Sequence, residues 1–553
     1  MRVGIPDQEK NDEAVPHLHA KTFLIIFAVA LIYFTQVVNV VGAGSLTQAV
    51  GQTLGGSTKG IWLSTSITIL TVVLGPPISQ AADFWGRRWF IIVLTFFGVI
   101  GSIIMARATS MNMAIAGEVI SGLAFGVQAV IHAVLAEVLP RRWRPYAQSC
   151  ATVSAGLGGL VGLLAGGAMT LDGNNNGFRN FWYMTTALYA VSTVLFFFLY
   201  NPPMRRSQMG RTNAEKLRQL DSIGNILLAT GLVALCMGLS WSQNPYSWTD
   251  AHVLAPFLIG LFLLICLIVY ETKFKKDGMC HHGLFTAHKW NFDIALWCAF
   301  VDGIAFFAMN SYFCFEVGIF YETNSLRATL RYGISFIAST LTTILVGAYC
   351  SATKTVRAPA IFAFTVLTAF YICMSAATKG SSTVVWVYPV IFGVGLGSSL
   401  CVILALSQLS TPKDLLTIAT GLIISIRSFG GSIGLAVYNA IFLAQFNDNL
   451  VLKISEAVLP LGLPNSSLSA LVKGFSSNNA TAIAAVPGAT KEIIAAGAEG
   501  VKNAYVLGFR YVWVAAGCFT ALATISTFFL VDPTNEFNMN IDAPAEEYEE
   551  LFG

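Results

Sequence analysis

Apolar residues in this chain come in long unbroken runs, not in the alternation of a strand or the one-sided stripe of a soluble helix. Each run is bounded by a short polar or basic segment. A helix rises 1.5 Å per residue, so about 20 residues cross a hydrocarbon core, and in lipid only internally bonded backbone is tolerated. The pattern therefore predicts fourteen membrane helices, over about 22–44, 61–80, 89–106, 112–136, 149–170, 181–200, 222–241, 252–270, 291–312, 330–350, 358–376, 384–407, 416–443 and 511–531. The run from Thr22 is too long for a signal peptide and is expected to remain as the first span.

Composition agrees. Of 553 residues only 11% are charged and 55% are hydrophobic, whereas a soluble domain carries about 25% charged residues. The net charge of +3 gives no reason to expect a nucleic-acid partner. Placement of the basic residues matters more. Lys and Arg concentrate in the segments that an inside N-terminus makes cytosolic, so both termini are expected in the cytosol. Residues 1–21 and 532–553 are then cytosolic tails, the second acidic (Glu547, Glu549, Glu550) and expected to be mobile. The ten cysteines show no Cys-x-x-Cys spacing and read as small buried hydrophobes, with no metal site.

An internal repeat sets the architecture. An offset of 272 carries Gly75 to Gly347, Ser79 to Ser351 and Pro140 to Pro412, and Gly158-Gly159-x-x-Gly162 onto Gly430-Gly431-x-x-Gly434. A later match, Gly177-Phe178-Arg179 with Gly508-Phe509-Arg510, needs an offset of 331, so the second copy holds about 59 extra residues. The reading is an all-α polytopic membrane protein with a six-helix bundle at 22–200, a linker with two inserted helices at 201–290, and a second six-helix bundle at 291–531. The two bundles are parallel repeats, as in transporters that rock around a midplane site. The extra stretch, about 447–505, is polar and rich in Ala, Ser and Gly, and is expected to be an extracellular loop. It holds both sequons of the chain, at Asn465 and Asn479, as candidate glycosylation sites.

Charges within spans are costly and are functional candidates by default. Glu118, Asp302 and Arg427 lie within spans 4, 9 and 13. A carboxyl in a low-dielectric cavity can load and release a proton near neutral pH, so Glu118 or Asp302 is the candidate proton-coupling group and Arg427 the partner of one of them. A permanent structural ion bridge is the alternative. His132 follows Glu118 on nearly the same face of an ideal helix and extends a candidate proton path. Tyr33, Gln36 and Asn39 in span 1, Gln128 in span 4, and Asn310 and Tyr312 in span 9 are candidates to line a central cavity for a polar-decorated apolar solute. Glycines at 158, 162, 166 and 167 and at 430, 431 and 434 allow close helix approach. No phosphate-binding Gly-Lys-Ser/Thr and no His-Glu-x-x-His occurs, so no ATP, cofactor, metal or enzymatic constellation is expected.

Between spans 2 and 3 the chain reads Ser79-Gln80-Ala81-Ala82-Asp83-Phe84-Trp85-Gly86-Arg87-Arg88. This resembles the loop 2–3 signature of the major facilitator superfamily, with Ser79 in place of the usual Gly and Phe84 in place of a basic residue. Gly86 would permit the turn, and Arg87 and Arg88 would clamp Asp83. The span-5 glycines resemble the antiporter signature of proton-coupled drug exporters, but Leu163 replaces its proline. Glu118 stands where many members hold an arginine, so that arginine's role is not carried over. Asn201-Pro202-Pro203, Leu220-Asp221-Ser222-Ile223-Gly224 and Arg427-Ser428-Phe429-Gly430-Gly431-Ser432-Ile433-Gly434 resemble the fourteen-span fungal group of trichothecene-type efflux pumps and siderophore–iron transporters. The resemblance implies a monomeric, proton-coupled exporter of a small amphipathic metabolite, mycotoxin or drug in the plasma membrane, a vacuolar or other endomembrane location staying open. The alternatives are a siderophore–iron importer and, from another class, a non-transporting receptor on the same fold.

Overall fold

A computed structural model describes residues 20–56, 59–171, 174–202, 212–241, 246–275, 278, 281–286, 290–476 and 480–542. The N-terminal tail, Asn479 and Glu547, Glu549 and Glu550 lie outside the described residues. Fourteen helices are long and apolar enough to cross a membrane: α1 (Ala20–Ser45), α2 (Trp62–Trp85), α3 (Arg87–Ala106), α4 (Met111–Glu137), α5 (Arg141–Met169), α6 (Phe178–Leu199), α7 (Ser222–Leu239), α8 (Ala251–Phe274), α9 (Asn291–Phe320), α10 (Leu326–Thr353), α11 (Arg357–Ser375), α12 (Val384–Leu409), α13 (Leu416–Leu461) and α14 (Lys491–Thr527). Several starts are fixed by side-chain caps. Ser110 accepts from the Met113 amide, Asn324 from Leu326 and Arg327, and Thr490 from Ile493. Between α2 and α3 the chain turns on Gly86 at φ 95°, a conformation open to glycine and strained for other residues.

The glycine rows of the two repeats do equivalent work. Gly158 and Gly162 of α5 lie against the backbone of α1 at Phe34 and Val38, while Gly430 and Gly434 of α13 lie against α9 at Phe300 and Ile304. Gly166 faces Leu46 and Ser45 after the end of α1's tight contact, and Gly167 faces Thr329 of α10. Gly431 seats the ring of Phe307. The repeat-matched pair Gly75 and Gly347 sits at the two seams between halves, Gly75 of α2 against Ser425 of α13 and Gly347 of α10 against Ser149 of α5. Helices α7 and α8 pair with each other. The α7 residues Leu228, Leu232 and Cys236 pack on Ile69 and Val72 of α2, and Leu235 and Leu239 on Ala436 of α13.

Among the glycines within the membrane helices, Gly303 of α9 is packed tightest, against the Arg427 carbonyl and the Gly431 amide of α13. Gly303→Val is expected to cost about 1–3 kcal/mol or more, because the obstruction is backbone and cannot rotate away. Thermal unfolding of purified protein checks this, and an unchanged midpoint would show that α9 and α13 part freely.

Two sequence expectations change here. The stretch 447–505 is largely helical, not loop. Helix α13 continues past the membrane to Leu461, α14 begins at Lys491, and Asn465–Ser476 and Ala480–Ala484 lie between. Leu450, Ile454 and Val458 recur every four residues and pack with Leu471, Ile483 and Ile493 in a small core of their own. Asn465, exposed, opens the first of these short helices. The acidic tail is likewise ordered through Asp542. Its backbone accepts from Arg141 and Arg142 at Asn540 (3.0 Å) and Asn538 (2.8 Å).

Candidate transport site

A chamber lies between the two halves. Its walls come from both. Tyr33 and Val37 of α1 and Phe125 and Gln128 of α4 face Phe306 and Phe307 of α9, Phe336 of α10, Leu400 of α12 and Arg427 of α13. Hydroxyls are interspersed at Thr68, Thr71, Thr152, Ser339 and Ser428. A second, smaller chamber shares Tyr33, Gln128, Leu400 and Arg427, and adds His132 and Asp302. Arg427 thus stands at the junction.

Asp302 is fully buried and both its oxygens are engaged. Arg427 Nε donates to Oδ2 at 2.6 Å and Ser399 Oγ to Oδ1 at 2.5 Å. The Arg427 guanidinium lies over the Phe306 ring at 5.2 Å. The carboxylate is therefore held by two charge-assisted or hydroxyl donors, and Arg427 partners Asp302, not Glu118.

Glu118 occupies a separate polar cluster between α1, α4 and α6. Its Oε1 accepts from Trp182 Nε1 at 2.7 Å, and Oε2 is shielded with no donor among the described residues. Asn39 donates to Ser121 Oγ at 2.7 Å, and its buried carbonyl oxygen has no hydrogen-bond partner among the described residues. A bare carboxylate in such a place is costly unless it gains a proton.

The candidate path from Glu118 to His132 is not continuous. The backbone tightens to a 3₁₀ turn over Leu123–Val127, so the ideal-helix phase relation fails. His132 turns to the second chamber, where Nδ1 bonds Gln148 Oε1 at 2.8 Å and its ring meets Tyr33 edge-on at 4.8 Å. Of the expected cavity residues, Tyr33 and Gln128 line the chamber. Gln36 instead donates to the Ala124 carbonyl at 2.7 Å and Asn39 to Ser121, so both join α1 to α4. Asn310 accepts from Tyr332 at 3.4 Å, and Tyr312 packs against Tyr438 and Phe442. Neither lines the chamber, and Asn310 Nδ2 sits against Gly44 of α1, at a widened turn of α9 over Met309–Phe313.

One face, carrying the α2–α3 turn and the last described residues, is closed by charge. Arg87 binds Glu137 of α4, Asp83 of α2 at 3.1 Å, and the Thr417 hydroxyl at the head of α13; Thr417 also donates to Asp83 at 2.9 Å. The clamp on Asp83 is made by Arg87, while Arg88 turns to α6, bonding Asn201 Oδ1 at 2.7 Å and the Phe197 carbonyl at 2.9 Å. Ser79, buried, donates to the Gly75 carbonyl at 2.7 Å. Beside this latch the tail crosses between halves. Asp542 binds Arg141, the fully buried Arg144, and Lys413 at 3.5 Å, and Glu536 binds Arg141. Arg144 also donates to the Gln408 carbonyl at 2.6 Å. Asp542→Asn is expected to lower stability by about 2–5 kcal/mol, since it leaves buried arginine charge undercompensated. A thermal midpoint equal to wild type would show that the tail is not anchored.

The family model described as Major Facilitator Superfamily matches residues 23–435. The chain belongs to the major facilitator superfamily. Among curated members it is similar to the MFS-type transporter ucsD of an Acremonium species, 25% identical over 75% of this chain and 70% of that one. It is also similar to the trichothecene efflux pump TRI12 of Fusarium sporotrichioides, 22% identical over 94% of this chain and 86% of that one. The solved structure of the proton:xylose symporter XylE shares the fold, with a TM-score of 0.51 at 12% identity, covering 95% of this chain and 98% of that one.

Within this superfamily fold, sequence reading missed several buried carboxylates, Glu137, Glu271 and Glu316. Glu137 completes the latch, and Glu316 accepts from Trp513 Nε1 at 2.7 Å, much as Glu118 does from Trp182. Trp182 and Trp513 are related by the same 331-residue offset as Gly177 and Gly508.

Proposed function

We propose that this member of the superfamily exports a small amphipathic solute, a secondary metabolite, mycotoxin or drug, by proton-coupled alternating access. The observation that carries the reading is the chamber between the halves. Its aromatic and aliphatic walls, broken by scattered hydroxyls and one guanidinium, suit a solute with an apolar body and a few polar groups. The charged latch on one face supports alternating access, because rocking the halves must break it. Glu118 supports proton coupling, as a carboxyl whose shielded oxygen has no donor. Export is favoured by relatives such as the trichothecene efflux pump of Fusarium sporotrichioides. The protein acts as a monomer in the plasma membrane, with both termini cytosolic.

The test is uptake and efflux in cells lacking endogenous pumps, with a toxin panel and a labelled ferric siderophore, with and without a proton uncoupler. Uncoupler-sensitive toxin efflux is expected. Siderophore uptake would reverse the direction, flux indifferent to the uncoupler would remove proton coupling, and no flux at all would favour a receptor.

A further inference from the structure

Arg427 carries five N–H groups in a planar fork, and only one of them is used. Its Nε is taken by Asp302 at 2.6 Å. Neither η-nitrogen has a protein hydrogen-bond partner among the described residues, and the side chain keeps 19% of its surface open at the junction of the two chambers. The charged or titratable side chains nearest the fork are already engaged. Both Asp302 oxygens are occupied, and His132 Nδ1 is bonded to Gln148. Four directed donors thus face a space walled mainly by phenylalanine and aliphatic side chains. A guanidinium offers two parallel N–H bonds to a pair of acceptor oxygens, a match to a planar oxyanion that a hydroxyl does not make.

Resting on the export reading, we propose that the solute carries an acidic oxygen head, a carboxylate or a comparable enolate or phenolate. The head sits on the η-nitrogens of Arg427, and the apolar body lies among Phe125, Phe306, Phe307 and Phe336. Asp302 is the positioning residue, fixing the plane of the fork through Nε while leaving its outer edge to the solute. It also sets the charge. Asp302 and Arg427 together sum to zero, so an arriving anion meets a fork whose positive charge is already balanced. Removing the Asp302 charge should strengthen the hold on an acid.

The experiment uses full-length purified protein and two matched probe pairs, 1-naphthylacetate with 1-naphthylacetamide and 1-pyrenebutyrate with its amide, titrated by calorimetry at neutral pH. Each acid is expected to bind at least about fivefold tighter than its amide, the scale of a charged hydrogen-bond pair. Asp302→Asn should tighten both acids with no matching gain for the amides, an effect that a purely structural ion bridge does not produce. Arg427→Lys, which keeps a cation beside Asp302 but loses the fork, should shrink the acid preference. An acid preference below that level, no binding of either acid, or an Asp302→Asn protein that binds acids no more tightly overturns the proposal. Efflux of the same probes from pump-deficient cells separates the two readings. Export of amides as readily as acids sinks the acidic-head site and leaves export standing, whereas acid binding without any export sinks export and leaves the acid site.

Discussion

A Glu118→Gln protein is expected to stay folded and to lose proton-driven export by about two orders of magnitude, the scale on which removing a positioned proton-transfer group is felt. The two side chains are nearly the same size. The amide oxygen of glutamine keeps the bond from Trp182 Nε1, made at 2.7 Å in the native protein. The amide nitrogen takes the place of Oε2, which accepts no hydrogen bond among the described residues, so no existing bond is lost. The substitution therefore preserves the cluster's hydrogen bonds while fixing it in the state that a protonated glutamate resembles. Thermal stability should match or exceed wild type, so lost export cannot be assigned to misfolding. The measurement is uncoupler-sensitive efflux alongside the unfolding midpoint. Wild-type efflux from this variant would move the coupling role to Asp302 or Glu316.

Glu137 and Glu316 escaped sequence reading for one physical reason. Edges drawn at 136 and 312 by falling hydropathy left Glu137 and Glu316 just outside their spans, whereas α4 runs to Glu137 and α9 to Phe320. A carboxylate at a helix end lowers local hydropathy and moves the apparent edge inward, so the method discards the residues it should flag. The same weakness hid the helices of 447–505. Their apolar positions recur at helical spacing, but the exposed faces are Ala, Ser, Gly and charge, too polar for a membrane signal. By contrast the fourteen runs, the repeat and an in-span carboxylate partner for Arg427 were accessible, though the choice of Asp302 over Glu118 was not. Long apolar stretches and a charge in their midst are strong local signals, and parallel duplication puts equivalent residues at equivalent seams. Gln36 and Asn39 face α4 beside its 3₁₀ turn, and Asn310 and Tyr312 lie in a widened turn of α9. No single-sequence pattern here announces those.

Arg87→Met is expected to cost about 3–5 kcal/mol, the range for stripping one partner from a buried ion pair, and to loosen the face it closes. Arg87 is only 3% exposed and joins three elements: Glu137 from α4, Asp83 from α2, and Thr417 at the start of α13 in the other half. Methionine fills the stem but returns none of these bonds. A second variant separates stability from gating. Arg87→Met combined with Glu137→Leu removes the stranded carboxylate together with its cation and should regain most of the unfolding midpoint, yet export should stay impaired. The bond from Thr417 to Asp83 survives in that protein, but the guanidinium that tied both halves to it is gone. A Leu416→Cys reporter, buried beside the latch against Ala133 and Ala136 of α4, reads the opening directly. Its labelling by a water-soluble thiol reagent should be slow with Arg87 present and faster in either variant. Equal labelling would mean that this face opens without breaking the arginine's bonds, and the latch would then be a stabilising contact only. The distinction matters because a gate must be strong enough to hold against hydrocarbon-scale forces and weak enough to break once per cycle. A single arginine shared among three partners meets both conditions, since its bonds to the far half can be lost while those to its own half persist.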